Sequence, residues 1–239
     1  MITVITVCYN AVDVIEGTMV SVLNQTYNDI EYIIIDGLST DNTLAIINKV
    51  ASLYPTKNIK IISEKDKGIY DAMNKAIKLA HGEWLNFMNA GDVFSKDTIL
   101  EDIVNSGLMN QYDFIYSDFI ARDGKKQRFI PQDYDRGKVL HQSLIYKKIL
   151  HDQYGQYVVT HPYIISDYLF FVQVNKKQVA KFKEPISIND TTGISMQGNW
   201  INYQRLCVDY MMRRIGVSEL TKGILERIFI DLIKRIIRR

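Results

Sequence analysis

The stretch Ile2-Thr3-Val4-Ile5-Thr6-Val7-Cys8-Tyr9-Asn10 decides the fold class. Its first seven residues carry no Gly, Pro or charge and are mostly β-branched, the pattern of a strand buried on both faces. Tyr9-Asn10 ends the strand, and Val14 to Leu23 follows with helical spacing, Asp13 being its expected N-cap. Outward from there the alternation repeats. Tyr32 to Ile35 reads as a strand, Asp41 to Leu53 as a helix, and Asn58 to Ile62 as a third strand. In Ile69 to Ala80 the residues Ile69, Met73, Ala76, Ile77 and Ala80 recur on one helical face, and Glu83 to Met88 is the fourth strand. Short connections between apolar strands and amphipathic helices predict an α/β layered fold with a largely parallel sheet.

In such folds ligands bind beyond the carboxyl ends of the strands. Three polar groups fall there: Tyr9-Asn10, Asp36-Gly37-Leu38-Ser39-Thr40-Asp41 and Asn89-Ala90-Gly91-Asp92. The second half is less regular. Asp113 to Phe119 is expected to pair with Gln127 to Ile130 across Arg122-Asp123-Gly124. Ile165 to Val174 reads as a helix opened by Ser166-Asp167, Val179 to Ile188 as one strand, and Asn189 to Asn199 as a loop. Trp200 onward returns to helix.

The 239 residues suffice for one substantial core, and 47% hydrophobic with 23% charged residues is ordinary for a folded globule. Twenty-nine Lys plus Arg against 27 Asp plus Glu give a net charge of +2, so no nucleic-acid footprint is expected. Cys8 and Cys207 form no metal-ligand pattern, and a reducing cytosolic setting is the default. The N-terminus reads as a strand without a signal peptide's basic segment, and no apolar run reaches membrane-span length.

Four segments together resemble the inverting family 2 glycosyltransferases of bacterial polysaccharide, O-antigen and capsule biosynthesis. They are Val4 to Asn10, Asp36 to Thr43, Glu64 to Ala76 and Gly82 to Asp92, in the family's order. The resemblance is specific over about residues 1–95 and thinner to about 195. It implies a GT-A nucleotide-diphospho-sugar transferase fold, a Rossmann-like mixed central sheet flanked by helices. Residues 1–199 would form the catalytic domain, with a donor-nucleotide half to about 95 and an acceptor half beyond it. Residues 200–239 would form a C-terminal helical extension.

By that resemblance Tyr9, Asp36 and Asp66 bind the donor nucleotide, Asp36 accepting from the imide N–H of the base while Tyr9 packs near the ring. On the residues alone Asp36 could equally cap its own Gly37 turn. Asp92 would be the ligand of a Mn2+ or Mg2+ ion bridging the donor diphosphate, although Gly91 stands where relatives often carry a second carboxylate. Asn89, Gly91, His141 and Gln142 would face the donor sugar, the diphosphate or the acceptor, and Asp167 at a helix start would be the catalytic base. An Asp in a helix's first turn is also favourable by electrostatics alone.

In the tail, Ile224, Leu225, Ile228, Phe229, Leu232, Ile233, Ile236 and Ile237 recur at helical spacing among Arg227, Lys234, Arg235, Arg238 and Arg239. A basic amphipathic helix of this kind can lie on an anionic membrane, join a homodimer or pack on the catalytic domain. The expectation is therefore a cytoplasmic enzyme, peripheral on the inner membrane face, that moves a sugar from a UDP-linked donor to a lipid-linked or oligosaccharide acceptor. Two rivals stand beside it. A nucleotidyltransferase would carry a glycine-rich basic loop where this chain has Tyr9-Asn10. A non-catalytic glycan-binding or scaffold protein on the same fold is suggested by Gly91 and Ser166 at usually acidic positions.

Overall fold

Strand β1 (Ile2–Cys8) is buried along its whole length, because parallel neighbours flank it and helices cover both faces. The computed structural model describes residues 1–160, 163–190 and 200–237. On one side β1 pairs in parallel with β2 (Ile30–Asp36), which pairs in parallel with β3 (Asn58–Ser63). On the other side it pairs in parallel with β4 (Trp84–Phe87). Successive side chains of a strand point to opposite faces. Accordingly Ile2, Val4, Tyr32 and Ile34 pack with helices α1 (Ile15–Leu23) and α2 (Thr43–Ser52), and Ile5, Val7, Ile33 and Ile35 pack with α3 (Ile69–Leu79).

Beyond β4 the sheet changes character. A two-residue strand, β5 (Val93–Phe94), and helix α4 (Ile99–Asn105) lead to β6 (Phe114–Tyr116). Strand β9 (Leu144–Lys147) lies between β4 and β6 and runs antiparallel to both, and β10 (Val179–Lys181) closes the edge beside β6. The order β10-β6-β9-β4-β1-β2-β3 is thus a seven-stranded mixed sheet, and the largely parallel sheet expected from the periodicity holds only through β4.

A second sheet, β5-β11-β7-β8, is built from β7 (Phe119–Asp123), β8 (Lys126–Ile130) and β11 (Ser187–Asp190) with β5. It corrects two expected strands. Asp113 to Phe119 divides at Ser117-Asp118, where Ser117 Oγ accepts from Ile186 N at 2.9 Å and Asp118 Oδ1 from Gln132 N at 2.6 Å. The arm that pairs with β8 is β7, and its turn is Gly124-Lys125 with Gly124 at φ 57°. Val179 to Ile188 likewise divides between the two sheets, interrupted by Pro185, which has no N–H to donate. Asn189 and Asp190, expected in a loop, end β11; the rest of that loop, 191–199, lies outside the described residues.

Asp13 does not cap α1. The helix follows Val14, and both Val14 N and Ile15 N donate to the Ala11 carbonyl, at 3.1 and 3.0 Å, so the backbone itself closes the first turn. Short helices α5 (Leu150–Tyr154) and α6 (Ser166–Phe171) follow β9, and then come α7 (Trp200–Met211) and α8 (Val217–Ile237). Among the described residues no helix is long and apolar enough to cross a membrane.

The start of β4 is held by a close approach. Thr3 Oγ1 donates to Glu31 Oε2 at 2.6 Å and accepts from Gly82 N at 2.9 Å. A Cβ on Gly82 would stand 2.5 Å from that hydroxyl and 2.6 Å from Thr3 N, and the backbone of a central strand cannot yield. Gly82→Ala is therefore expected to lower the unfolding free energy by about 2 kcal/mol in urea denaturation. Gly17→Ala, in open space on α1, is expected to raise it by about 0.5–1 kcal/mol.

Candidate active site

The carboxyl ends of β1, β2 and β3 form a notch. Tyr9 is 61% exposed at the end of β1. The next residue, Asn10, takes φ 48° and ties the strand end to the following loop, its Oδ1 accepting from Thr40 N at 2.9 Å and its N–H donating to Ser39 Oγ at 2.8 Å. Gly37 admits Asp66 so closely that a Cβ would lie 2.5 Å from Asp66 Oδ2 and 3.5 Å from the Tyr9 ring. Tyr9 and Asp66 therefore meet around Gly37.

Asp36 lies beneath them, fully buried. Its carboxylate accepts from Ser39 N at 3.1 Å, from the Ser39 hydroxyl in a short bond, and from Ser63 Oγ at 2.6 Å. The local turn bond that the residues left open is present. Burial and the adjacent Asp36 push the Cys8 thiol up to about 12, so Cys8 stays a neutral packing group.

The second group centres on Asp92, 8% exposed. Asp92 Oδ2 accepts from Gln142 Nε2 at 2.7 Å and Oδ1 from Asp190 N at 3.2 Å. Its main chain is fixed by Thr18, whose Oγ1 donates to the Asp92 carbonyl at 2.8 Å and accepts from Gly91 N at 3.0 Å. Gly91 itself adopts φ 100°, a conformation open to glycine, so a carboxylate-bearing residue there would be strained. Burial raises the Asp92 carboxyl to about 6 against the opposing Gln142 amide.

The third group centres on Asp167, 24% exposed in the first turn of α6. Tyr70 Oη, from the start of α3, donates to its Oδ1 at 2.7 Å. His141, only 5% exposed, presents Nδ1 3.9 Å from Oδ2. Burial pulls His141 down to about 4, so the ring is neutral near pH 7. His141 and Gln142 are neighbours in one helical turn before β9, and each reaches a different carboxylate: His141 towards Asp167, Gln142 to Asp92. One dipeptide thus brings together two acids 75 positions apart in sequence.

The glycosyl transferase family 2 profile matches residues 3–169. The chain belongs to this family. A PGL/p-HBAD biosynthesis glycosyltransferase of Mycobacterium tuberculosis is 30% identical over 204 residues, 82% of this chain and 79% of that protein. The Escherichia coli UDP-Glc:alpha-D-GlcNAc-diphosphoundecaprenol beta-1,3-glucosyltransferase WfaP is 38% identical over 106 residues, 43% of this chain and 40% of its own. Among solved structures, S. aureus TarS in complex with UDP-GlcNAc superposes with a TM-score of 0.72 at 17% identity, covering 95% of this chain and 71% of TarS. The mannosyltransferase PcManGT from Pyrobaculum calidifontis, in complex with GDP-Man and Mn2+, gives 0.67 at 18% identity over 95% of this chain and 68% of its own. The fold is GT-A.

Thr18 and Asp190 carry no local sequence signal, because their roles come from contacts across elements. Tyr70 lay inside a family-like segment without being singled out.

Among the described residues no three His, Cys, Asp or Glu side chains converge. A hard cation that takes most of its ligands from a diphosphate nevertheless needs only one or two protein oxygens. Asp92 supplies a carboxylate whose burial a cation would offset, and three residues earlier Asn89 Oδ1 is buried without a hydrogen-bond partner. This donor set fits such an ion.

Because burial raises Asp92 above its unfolded value, the ionised carboxylate opposes folding. The cost is absent below about pH 4, grows as pH rises, and is complete above about 6, reaching about 3 kcal/mol. In Asp92→Asn the Gln142 amide can turn its oxygen to the new NH2 while Asp190 N keeps an acceptor. Thermal unfolding at pH 7.5 is therefore expected to show Asp92→Asn more stable than wild type, the difference vanishing near pH 4.

Proposed function

We propose that this protein transfers a sugar, with inversion, from a UDP-linked donor to a hydroxyl of a glycan or lipid-linked glycan in bacterial surface polysaccharide assembly. The observation that carries the reading is the span from Asp92 to Asp167 across His141-Gln142, one acid buried on the donor side and the other open to an acceptor. The notch of Tyr9 and Asp66 would take the nucleotide, with Tyr9 offering a ring face and Asp36 shaping the floor. Base pairing by Asp36 itself requires Ser39 or Ser63 to yield a carboxylate oxygen. UDP is favoured over other nucleotides by the donor named for WfaP and the UDP-GlcNAc bound to TarS.

Asp92 and Asn89 would hold Mn2+ or Mg2+, which supplies charge neutralisation on the departing diphosphate. Gln142 keeps Asp92 aimed, and the φ of 100° at Gly91 sets the turn that presents it. With Oδ1 occupied by Tyr70, Asp167 Oδ2 is the oxygen that takes the acceptor proton as the hydroxyl attacks the anomeric carbon. Attack opposite the leaving diphosphate inverts the centre without a covalent sugar-enzyme intermediate.

Residues 1–199 form the catalytic domain in this reading, and the extension at 200–239 brings it to the cytoplasmic membrane face, where a lipid-linked acceptor lies. Leu225, Ile228, Phe229 and Leu232 are exposed on α8 beside Lys222 and Arg227. Phe229→Asp is expected to abolish sedimentation with phosphatidylglycerol vesicles. A concentration-dependent doubling of mass without vesicle binding would instead assign this face to a homodimer.

The central test screens UDP-sugars with Mn2+ or Mg2+ and membrane-derived acceptor lipids. One donor should turn over, and Asp167→Asn should lower kcat by about 100-fold or more with donor binding kept. Absence of both turnover and donor binding would favour a non-catalytic glycan-binding role.

A further inference from the structure

Behind His141 runs a buried chain of hydrogen bonds that donor and acceptor binding leave unused. His141 Nε2 lies 3.2 Å from Tyr157 Oη, which lies 2.7 Å from Tyr146 Oη. Tyr146 Oη lies 3.0 Å from His151 Nε2, and His151 Nδ1 lies 3.0 Å from the Gly155 carbonyl. All four side chains are buried, and Phe87, Phe170 and Phe171 pack against the imidazoles. Tyr157 is also pinned through its main chain, since Asn74 bonds its N–H and C=O at 3.0 and 2.8 Å.

The direction of every bond follows from the last one. A carbonyl only accepts, so His151 carries its proton on Nδ1. A neutral His151 then offers a lone pair at Nε2, to which Tyr146 must donate. With the Tyr146 proton committed, Tyr157 donates to Tyr146, and with the Tyr157 proton committed, His141 must donate from Nε2. The remaining nitrogen of a neutral His141, Nδ1, is therefore a lone pair facing Asp167 Oδ2 across 3.9 Å. Burial supports each step by pulling both histidines down to about 4 and raising both phenols, so that none of the four ionises near neutrality.

We propose that the Gly155–His151–Tyr146–Tyr157 chain is a tautomer lock that holds His141 as a proton acceptor towards Asp167, making His141 a positioning residue for the catalytic base. The chemical consequence is directional. A His141 protonated on Nδ1 would donate to the Asp167 carboxylate and weaken it as a base. Locked the other way, His141 gives the carboxylate nothing before transfer. Once Asp167 has taken the acceptor's proton, the pair can close from 3.9 Å to hydrogen-bond distance with His141 accepting from the new O–H, so the interaction strengthens as the reaction proceeds. The proton stays on Asp167, the acceptor oxygen keeps the electron pair that forms the glycosidic bond, and the diphosphate leaves with the pair of the broken bond.

The link to turnover rests on the reading given under Proposed function, whereas the tautomers are measurable without donor or acceptor. The full chain, labelled with 15N-histidine, contains four histidines, and His141→Gln and His151→Gln assign the two of interest. Two-bond 15N–1H correlation at pH 7.5 should show His141 protonated on Nε2 and His151 on Nδ1. A His141 protonated on Nδ1, or charged, overturns the lock whatever the activity.

Tyr146→Phe frees the Tyr157 hydroxyl to donate to His141. The His141 proton should then move to Nδ1, and kcat should fall about tenfold with donor KM changed by less than about twofold. Tyr157→Phe, which removes the same constraint one step closer, serves should Tyr146→Phe not fold. An unchanged His141 tautomer in the folded variant overturns the lock, and a switched tautomer with unchanged kcat overturns its role in the reaction.

Discussion

The site depends on one antiparallel seam. Strand β9 lies against β4, and Asn86, fully buried in the middle of β4, donates through Nδ2 to the Leu144 carbonyl at 2.6 Å and towards the Gln142 carbonyl at 3.4 Å. Those two carbonyls lie at the end of the turn, His141 to Ser143, from which His141 and Gln142 depart. A buried amide with one partner strand fixes register more sharply than apolar packing does, since a slip by one residue would leave its donor unsatisfied. The turn is braced from the other side by Ser143, whose hydroxyl meets Ser187 Oγ at 2.6 Å, so the small sheet enters the same arrangement through β11. Both acids inherit their positions from this turn.

The two acids are then given opposite environments. Asp92 is enclosed by Gln142, the Asp190 backbone and the Thr18-bound loop, an environment that penalises its charge and suits a cation. Asp167 stands at the start of α6, partly open, with a phenol on one oxygen and a neutral imidazole beyond the other. In the proposed reaction, donor-side charge neutralisation and acceptor-side proton removal need these different surroundings. A single turn supplies both because its adjacent side chains diverge.

The first four strands and three helices were legible because each is a local pattern: continuous apolar runs for β1 and β2, 3.6-residue spacing for α3. The second half was not, because its strands are short and their partners distant. Asp113 to Phe119 reads as one strand until Ser117 and Asp118 are seen bonding residues 69 and 14 positions away. At the site, Asp92, Asp167, His141 and Gln142 could be nominated by the family resemblance, yet the pairing of Gln142 with Asp92 has no sequence signature. Asp36 shows the limit from the other side. Its place after β2 and the family resemblance made it a candidate, but only the folded chain reveals that two serines already engage its carboxylate.

Aromatic residues on and beside α6 also join the sheet region to the C-terminal helices. Residue 168 follows the candidate base, and Tyr168 Oη donates to Asp209 Oδ1 of α7 at 2.6 Å while Arg205 stands over its ring at 5.1 Å. Arg214, just beyond α7, donates to the carbonyls of Tyr134 and Asp135 at 3.2 and 3.0 Å. Tyr134 in turn donates to the carbonyls of Phe171 and Val174 at the end of α6. Helix α6 is thus gripped at both ends by contacts that trace to the residues around α7. Gly137 completes the grip, because a Cβ there would fall 2.1 Å from Tyr168 Oη. Helix α7, against which α8 packs, therefore helps to orient the helix that carries Asp167, and in the proposed reaction the aim of the base depends on the extension as well as on the sheet.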